Sequence, residues 1–233
     1  MKYMKYLYSD KAKILQQQFS SVFTKEPKGS IPRLDERTNT SIEHLQVTEE
    51  QVKSEINRLN INKCCGPDHI HPRLLKELVN YLSKPIALLI NKSINEGMVP
   101  KDWKKAIVSP IYKKGSKHLA ENYRPISLTS IICKLMETLI KKVIMKHLED
   151  HNLLSTKQFG FINGKSTTLQ LLVYLEKCIE TIANGGVVDS IYMDFAKAFD
   201  KVPHRRLIGK LKSYGIKGEI CKWIEEFSTN NHK

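Results

Sequence analysis

Residues 187–204 read VVDSIYMDFAKAFDKVPH. The first half, VVDSIYMDF (187–195), is mostly apolar, which predicts a central β-strand covered on both faces. Asn184-Gly185-Gly186 just before it reads as a turn. At the end of the strand stands Asp194. A carboxylate at the mouth of a hydrophobic strand loses hydration unless something compensates it, and a divalent cation can. On spacing alone an ordinary strand-end aspartate is the plainer reading. Asp200 comes six residues later. Were the backbone extended between them, the two carboxylates would lie about 20 Å apart and could not share an ion. A turn is therefore expected, with Asp194 facing the metal and Asp200 in a structural role.

Upstream of this segment the chain is mainly helical. Ser166 can cap a helix running to about Ala183, with Leu169, Leu172, Val173, Ile179 and Ile182 inward. From Leu128 to Lys146, Leu128, Ile131, Ile132, Leu135, Leu139, Val143 and Ile144 make a buried stripe. Lys134, Glu137, Lys141 and Lys142 lie opposite it, Glu137 and Lys141 in the favourable order for an ion pair. Residues 106–112 (AIVSPIY) read as a strand, Pro110 marking an edge or a bulge. CCGPDHIHP (64–72) is a turn-rich connector. Pro72 suits the first turn of a helix carrying Leu74, Leu75, Leu78 and Leu82; Ser83 and Pro85 suggest a restart and Gly97 a stop. Thr48 with Gln51 forms a capping box ahead of Val52, Ile56 and Leu59, and Val47 can staple against Val52. Residues 11–23 predict a short helix, and 24–41 read as a linker. Downstream, Lys201–Tyr214 is predicted helical and closed by Gly215, and a last helix covers Glu219–Phe227.

Composition narrows the function classes. Lys and Arg number 38 against 24 Asp and Glu, a formal charge of +14. Such a surface favours polyanions, nucleic acid first among them, although a solvated, solubilising surface has the same composition. The excess is concentrated between Lys101 and His147, with eleven basic residues against Asp102, Glu121 and Glu137. Five cysteines show neither CxxC pairing nor zinc-finger spacing, which argues against a disulfide framework and for a reducing compartment. No apolar run approaches the roughly 18 residues of a membrane span. MKYMKYLYSDK at the start lacks the apolar stretch of a secretory leader. An intracellular protein without a membrane partner is expected, and no feature suggests a protein partner.

Five stretches, in order, resemble LINE-type (non-LTR) retrotransposon reverse transcriptases. IYMDFAKAFDKVPH (191–204) is similar to motif A of that family. NYRPISLTSIICKLMETLI (122–140) carries its NYRPISL core, and QFGFINGKSTTLQLL (158–172) resembles its QxGFRxGRST segment. KCCGPDHIHPRLLKEL (63–78) and VPKDWKKAIVSPIYKKG (99–115) resemble the N-terminal extension and first finger strand. LQQQFSSVFT (15–24) is similar to the segment just after the endonuclease domain in such elements. Singly each match is weak; in this order and spacing they are specific.

The resemblance implies roles residue by residue. Asp194 would be the first catalytic aspartate, binding Mg²⁺, with the carbonyl of Phe195 as a further ligand. Phe199 would floor the sugar pocket and exclude a 2′-hydroxyl; without the family, core packing is its plainer reading. Arg124 would grip the incoming triphosphate, with Lys113 or Lys114 as the second basic contact. Lys104, Lys105 and Lys165 are candidates for contacts to nucleic acid. Ile162 stands where the family usually has Arg, and Lys165 where it often has Arg, which alters the donor geometry of the fingers.

The implied architecture is α+β: the fingers and first half of the palm of a right-hand polymerase (101–233), behind a helical extension (42–100) and an N-terminal helix and linker (1–41). Template RNA, DNA primer and dNTP are the implied partners. The family's motif B and its Asp-Asp motif C lie downstream of this stretch, so the chain alone is expected to be inactive. The palm sheet would then keep an open edge at 187–195, with poor solubility. The competing expectation is a non-catalytic, basic nucleic-acid-binding remnant. A helical interaction protein with no nucleic-acid role fits the ordered motifs poorly.

Overall fold

A computed structural model describes residues 8–24, 26 and 29–229. Most of MKYMKYLYSDK, where a secretory leader would sit, lies outside the described residues. The elements are α1 (Tyr8–Ser20), α2 (Glu49–Asn57), α3 (Pro72–Glu77), α4 (Val79–Glu96), β1 (Ala106–Tyr112), β2 (Tyr123–Thr129), α5 (Ile131–Asp150), α6 (Thr167–Ala183), α7 (His204–Ser213) and α8 (Gly218–Thr229). Helices dominate, with one two-stranded sheet among the described residues.

The local signals at helix ends act as the sequence predicts. Thr48 and Gln51 complete a capping box on α2, each side chain meeting the other's backbone N–H. Pro72 opens α3, Ser166 caps α6 by accepting from the Leu169 amide, and Gly97 closes α4 in the left-handed conformation. The restart falls earlier than expected. Leu78 separates α3 from α4, and Pro85 lies inside α4 without ending it. Of the leucines placed on the α3 stripe, Leu75 is buried while Leu74 and Leu78 are exposed.

One hydrophobic cluster joins α2, α4, α5, α7 and α8. Val52, Ile56, Ile90, Ile94, Met136 and Trp223 are all essentially inaccessible. Polar groups inside it are mostly matched, Ser130 Oγ at the start of α5 being buried without a hydrogen-bond partner among the described residues. Asn91 on α4 accepts from the Val47 amide and donates to the Val47 carbonyl, both at 2.8 Å. Trp223 Nε1 donates to Ser93 Oγ at 3.0 Å, and Ser93 donates on to the Met98 carbonyl. The buried Glu55 carboxylate holds Arg58 at 3.0 Å and also Lys142, tying α2 to α5. On α5 the expected Glu137–Lys141 pair is replaced: Glu137 accepts from the Cys133 thiol at 3.3 Å. Burial pushes the Glu137 carboxyl above its ordinary value, partly offset by that hydrogen bond and by Lys134.

Residues 29–41, within the stretch that reads as a linker, form no helix or strand but are strapped to α7 and α8. The Arg37 amide donates to the Ser213 carbonyl at 2.7 Å, and Ile42 pairs with Ile216 as an isolated parallel bridge. Gly215 has φ +83°, and a Cβ there would come within 2.3 Å of the Thr40 carbonyl oxygen, so this crossing needs glycine. Gly66, in the CCGPDHIHP turn, similarly lets the turn approach Thr129, whose carbonyl oxygen would be 2.5 Å from a Cβ.

Three expectations fail. Leu128 belongs to β2 opposite Ile107, not to the helix, which begins at Ile131. Residues 187–195 form no strand. A strand exists through its ladder, and the one described sheet pairs β1 with β2 alone. The segment is exposed, with Met193 at 91% of its full accessibility, but without a strand it is not the open sheet edge expected there. The inward face expected of α6 is also absent: the helix forms, yet none of its residues is buried.

Candidate nucleotide and nucleic-acid interface

β1 and β2 form an antiparallel hairpin in continuous register, Ala106 opposite Thr129 through Tyr112 opposite Tyr123. Beyond the strands the ladder continues, the Lys113 amide donating to the Asn122 carbonyl at 2.8 Å. Because residues directly opposite alternate in bonding type, Ile111 and Arg124 are a hydrogen-bonded pair and Pro110 and Pro125 a non-bonded one. Neither proline therefore costs the ladder a donor, and Pro110 is an edge residue without a bulge.

The two faces of the hairpin differ. Val108, Pro110, Pro125 and Ser127 meet Leu15 and Phe19 of α1 across an apolar cleft of about 210 Å³. The opposite face presents Ile107, Ile111, Ile126 and Arg124, all exposed. Residues 112–123 close the hairpin through a compact turn. Tyr112 and Tyr123 pack edge to face at 5.8 Å, their hydroxyls donate to the Gly115 and Lys117 carbonyls, and the Lys117 ammonium sits 5.6 Å from the Tyr112 ring centre. Lys113, Lys114 and Arg124 are thus gathered at one end of the hairpin, exposed and without an acidic partner among the described residues.

The other candidate cations are differently placed. Lys104, only 18% exposed in its side chain, is ion-paired with Glu226. Lys105 is exposed and bonded to Asp102 at 2.8 Å, which holds the Asp102 carboxyl below its ordinary range. Lys165 donates to the Thr156 and Gln158 carbonyls, both at 2.9 Å, and lies 5.0 Å from the Phe159 ring centre. Its ammonium organises its own loop in this structure.

Asp194, Phe195 and Phe199 lie on the exposed 187–199 stretch. Phe199 is not in the core; its ring meets Phe161 edge to face at 6.1 Å. That contact brings the QFGFINGK and AKAFDK segments together. No hydrogen bond, ion pair or ring contact joins Asp194 or Phe195 to Lys113, Lys114 or Arg124 among the described residues. A carboxylate and a backbone carbonyl are the hard oxygen donors that Mg²⁺ takes. Among the described residues, however, no three His, Cys, Asp or Glu side chains converge to hold a metal.

One charged region escapes the sequence reading. Between Lys201 and Lys222 there are seven basic residues against one acid, Glu219. The signal is present as a charge surplus, but it lies beyond the 101–147 stretch where the basic excess is most conspicuous. No helix among the described residues is long and apolar enough to cross a membrane.

The chain is similar to known proteins. The family described as "Reverse transcriptase (RNA-dependent DNA polymerase)" matches residues 111–233, just over half of the chain. A protein described as "Probable RNA-directed DNA polymerase from transposon BS" of Drosophila melanogaster is 29% identical over 83% of this chain and 22% of its own length. The RNA-directed DNA polymerase from mobile element jockey of the same species is 31% identical over 71% of this chain and 18% of its own. The corresponding protein from transposon X-element is 33% identical over 70% and 18%. The chain therefore spans about a fifth of the length of these relatives.

Proposed function

The chain belongs to the reverse transcriptase family, on its LINE-type branch, and we propose that it forms the fingers and first half of the palm of an RNA-directed DNA polymerase. In this reading residues 101–233 are fingers and palm, 42–100 a helical extension and 1–41 a helix with its strap. Template RNA, DNA primer and dNTP are the partners. The observation that carries the reading is the hairpin register, which sets Arg124 and the lysines after β1 at one exposed end.

Residues 111 and 113 share a face in a period-two ladder, and Ile111 faces Arg124, so Lys113 rather than Lys114 is the companion of Arg124. A guanidinium fork beside an ammonium suits a triphosphate, fixing its orientation and stabilising charge as it develops. Asp194 supplies a carboxylate for Mg²⁺, the ion that activates the primer hydroxyl and leaving group when bound. Phe199 gives an apolar wall against which a 2′-hydroxyl would be unfavourable. The bare apolar surfaces of α6 and 187–199 are, in this reading, those that further palm polypeptide covers.

The test measures dNTP and structured-RNA binding to the chain side by side. Arg124→Ala should weaken dNTP binding by about 10- to 100-fold, the worth of a charged hydrogen bond at roughly 1.5–3 kcal/mol, and leave RNA binding nearly intact. Equal loss of both would refute the assignment. RNA binding with no dNTP affinity in the unaltered chain would favour the second reading, a basic RNA-holding module.

A further inference from the structure

We propose that the corner between α7 and α8 is a second nucleic-acid contact, a cleft that takes the phosphodiester backbone of a strand at a distance from the hairpin tip. It rests on the polymerase reading only in the class of partner. The cleft, about 220 Å³, is lined by Lys212, Lys217, Gly218, Cys221, Lys222 and Glu225. Three ammonium-bearing side chains from the end of α7, the connecting turn and the second turn of α8 therefore converge on one concavity. Lys212 and Lys222 are exposed and form no ion pair among the described residues. Lys217 is held at 3.1 Å by Glu36, and Glu225 contributes one carboxylate. Lys212 also acts electrostatically on the floor of the cleft. Burial raises the Cys221 thiol pKa, and the Lys212 cation opposes that shift.

Side chains carry this site, not the helix end. The Glu219 and Ile220 amides are already taken by the Glu43 carbonyl, so the first turn of α8 offers an anion little. The chemistry of the wall identifies the partner. Lysines are flexible point charges without the planar fork that reads a particular group. An open, shallow cleft lined by them suits sequence-independent contact with a row of phosphates, where each neutralised phosphate releases counterions. The same stretch carries the local surplus of seven basic residues against one acid, so the field extends past the cleft along α7. The platform is rigid: α8 is anchored through buried Trp223, Ile220 and Cys221.

The test is a titration of the whole chain with a short poly(U) strand across a salt series, comparing three variants of equal charge change. Lys212→Gln/Lys222→Gln should reduce the slope of log affinity against log salt by about 1.4, two single-strand contacts at roughly 0.7 each. Lys13→Gln/Lys84→Gln, on exposed parts of α1 and α4, should leave the slope unchanged, and melting curves should be superimposable for all. An equal fall in the control would overturn the site, as would no fall in the α7–α8 variant. Displacement of poly(U) by millimolar inorganic phosphate at constant ionic strength would also overturn it, in favour of a free-anion pocket. The third variant, Lys113→Gln/Arg124→Gln, separates the two proposals. The polymerase reading expects this variant to keep its poly(U) slope while its dNTP affinity falls. That dNTP loss with no change of slope in the α7–α8 variant sinks this inference and spares the polymerase reading; a reduced slope in the α7–α8 variant with dNTP affinity untouched by the hairpin variant does the reverse.

Discussion

The helical core and the 158–203 region have similar apolar content and opposite fates. α4 buries Ile86, Ala87, Ile90 and Ile94 against α2 and α8, whereas α6, with Leu169, Leu172, Ile179 and Ile182, buries nothing. Ile191, Tyr192 and Met193 are likewise bare. Hydrophobicity in a sequence states a requirement for cover; it does not state where the cover is. In the core the cover lies within the chain, across separations such as Val47 to Asn91 or Ser93 to Trp223. For α6 and 187–199 it does not lie among the described residues.

That contrast can be broken by truncating matched residues on each side. Trp223→Ala should cost about 3–5 kcal/mol, since the ring is 2% exposed, stacks on Phe227 at 5.0 Å and bonds to Ser93. Leu172→Ala on α6 should change stability by less than about 0.5 kcal/mol. Denaturant unfolding checks both, and a comparable loss at Leu172 would show that α6 has a hidden partner. Next in size, Asn91→Ala leaves the Val47 amide and carbonyl buried and unmatched, for a loss of about 2–3 kcal/mol in the same assay. Thr48→Ala should cost about 1 kcal/mol by opening the α2 capping box.

The smallest expected effect depends on pH. Burial raises the folded-state pKa of Glu137, so between its ordinary value of 4.5 and the raised one the folded state holds more protons than the unfolded state. Stability contributed by the protonated form is therefore full below 4.5 and lost as pH rises through the folded-state pKa. Glu137→Gln keeps an acceptor for Cys133 and should raise Tm at pH 7, with the advantage vanishing below the ordinary carboxylate pKa. A constant gain at every pH would mean that burial of the charge is not its cause.

The elements legible in the sequence are those specified by local chemistry. The Thr48–Gln51 box, Pro72, Ser166 and Gly97 each act over a few residues and appear where their chemistry predicts. β1 is legible by its apolar run and its bounds. β2 is hidden because YRPISLT holds a proline, and Leu128 extends the helical stripe of α5 backwards; only pairing with Ile107 decides its state. Residues 187–195 show the converse error, a strand pattern without a ladder. At the candidate site, resemblance picks out Lys113, Lys114 and Arg124, and the register adds their common location. Charge alone points to Lys104, and charge does not reveal that Glu226 already engages it across the fold.

The facing prolines of the hairpin carry one more consequence. At a non-bonded pair the amide positions point away from the partner strand, so Pro110 and Pro125 each remove a hydrogen from the middle of an outer rim. Both rims of the ribbon are thereby interrupted at their centres, and a stray strand from another molecule finds no continuous row of donors to zip onto. The ribbon can present its basic tip openly while remaining a poor seed for cross-chain β-stacking.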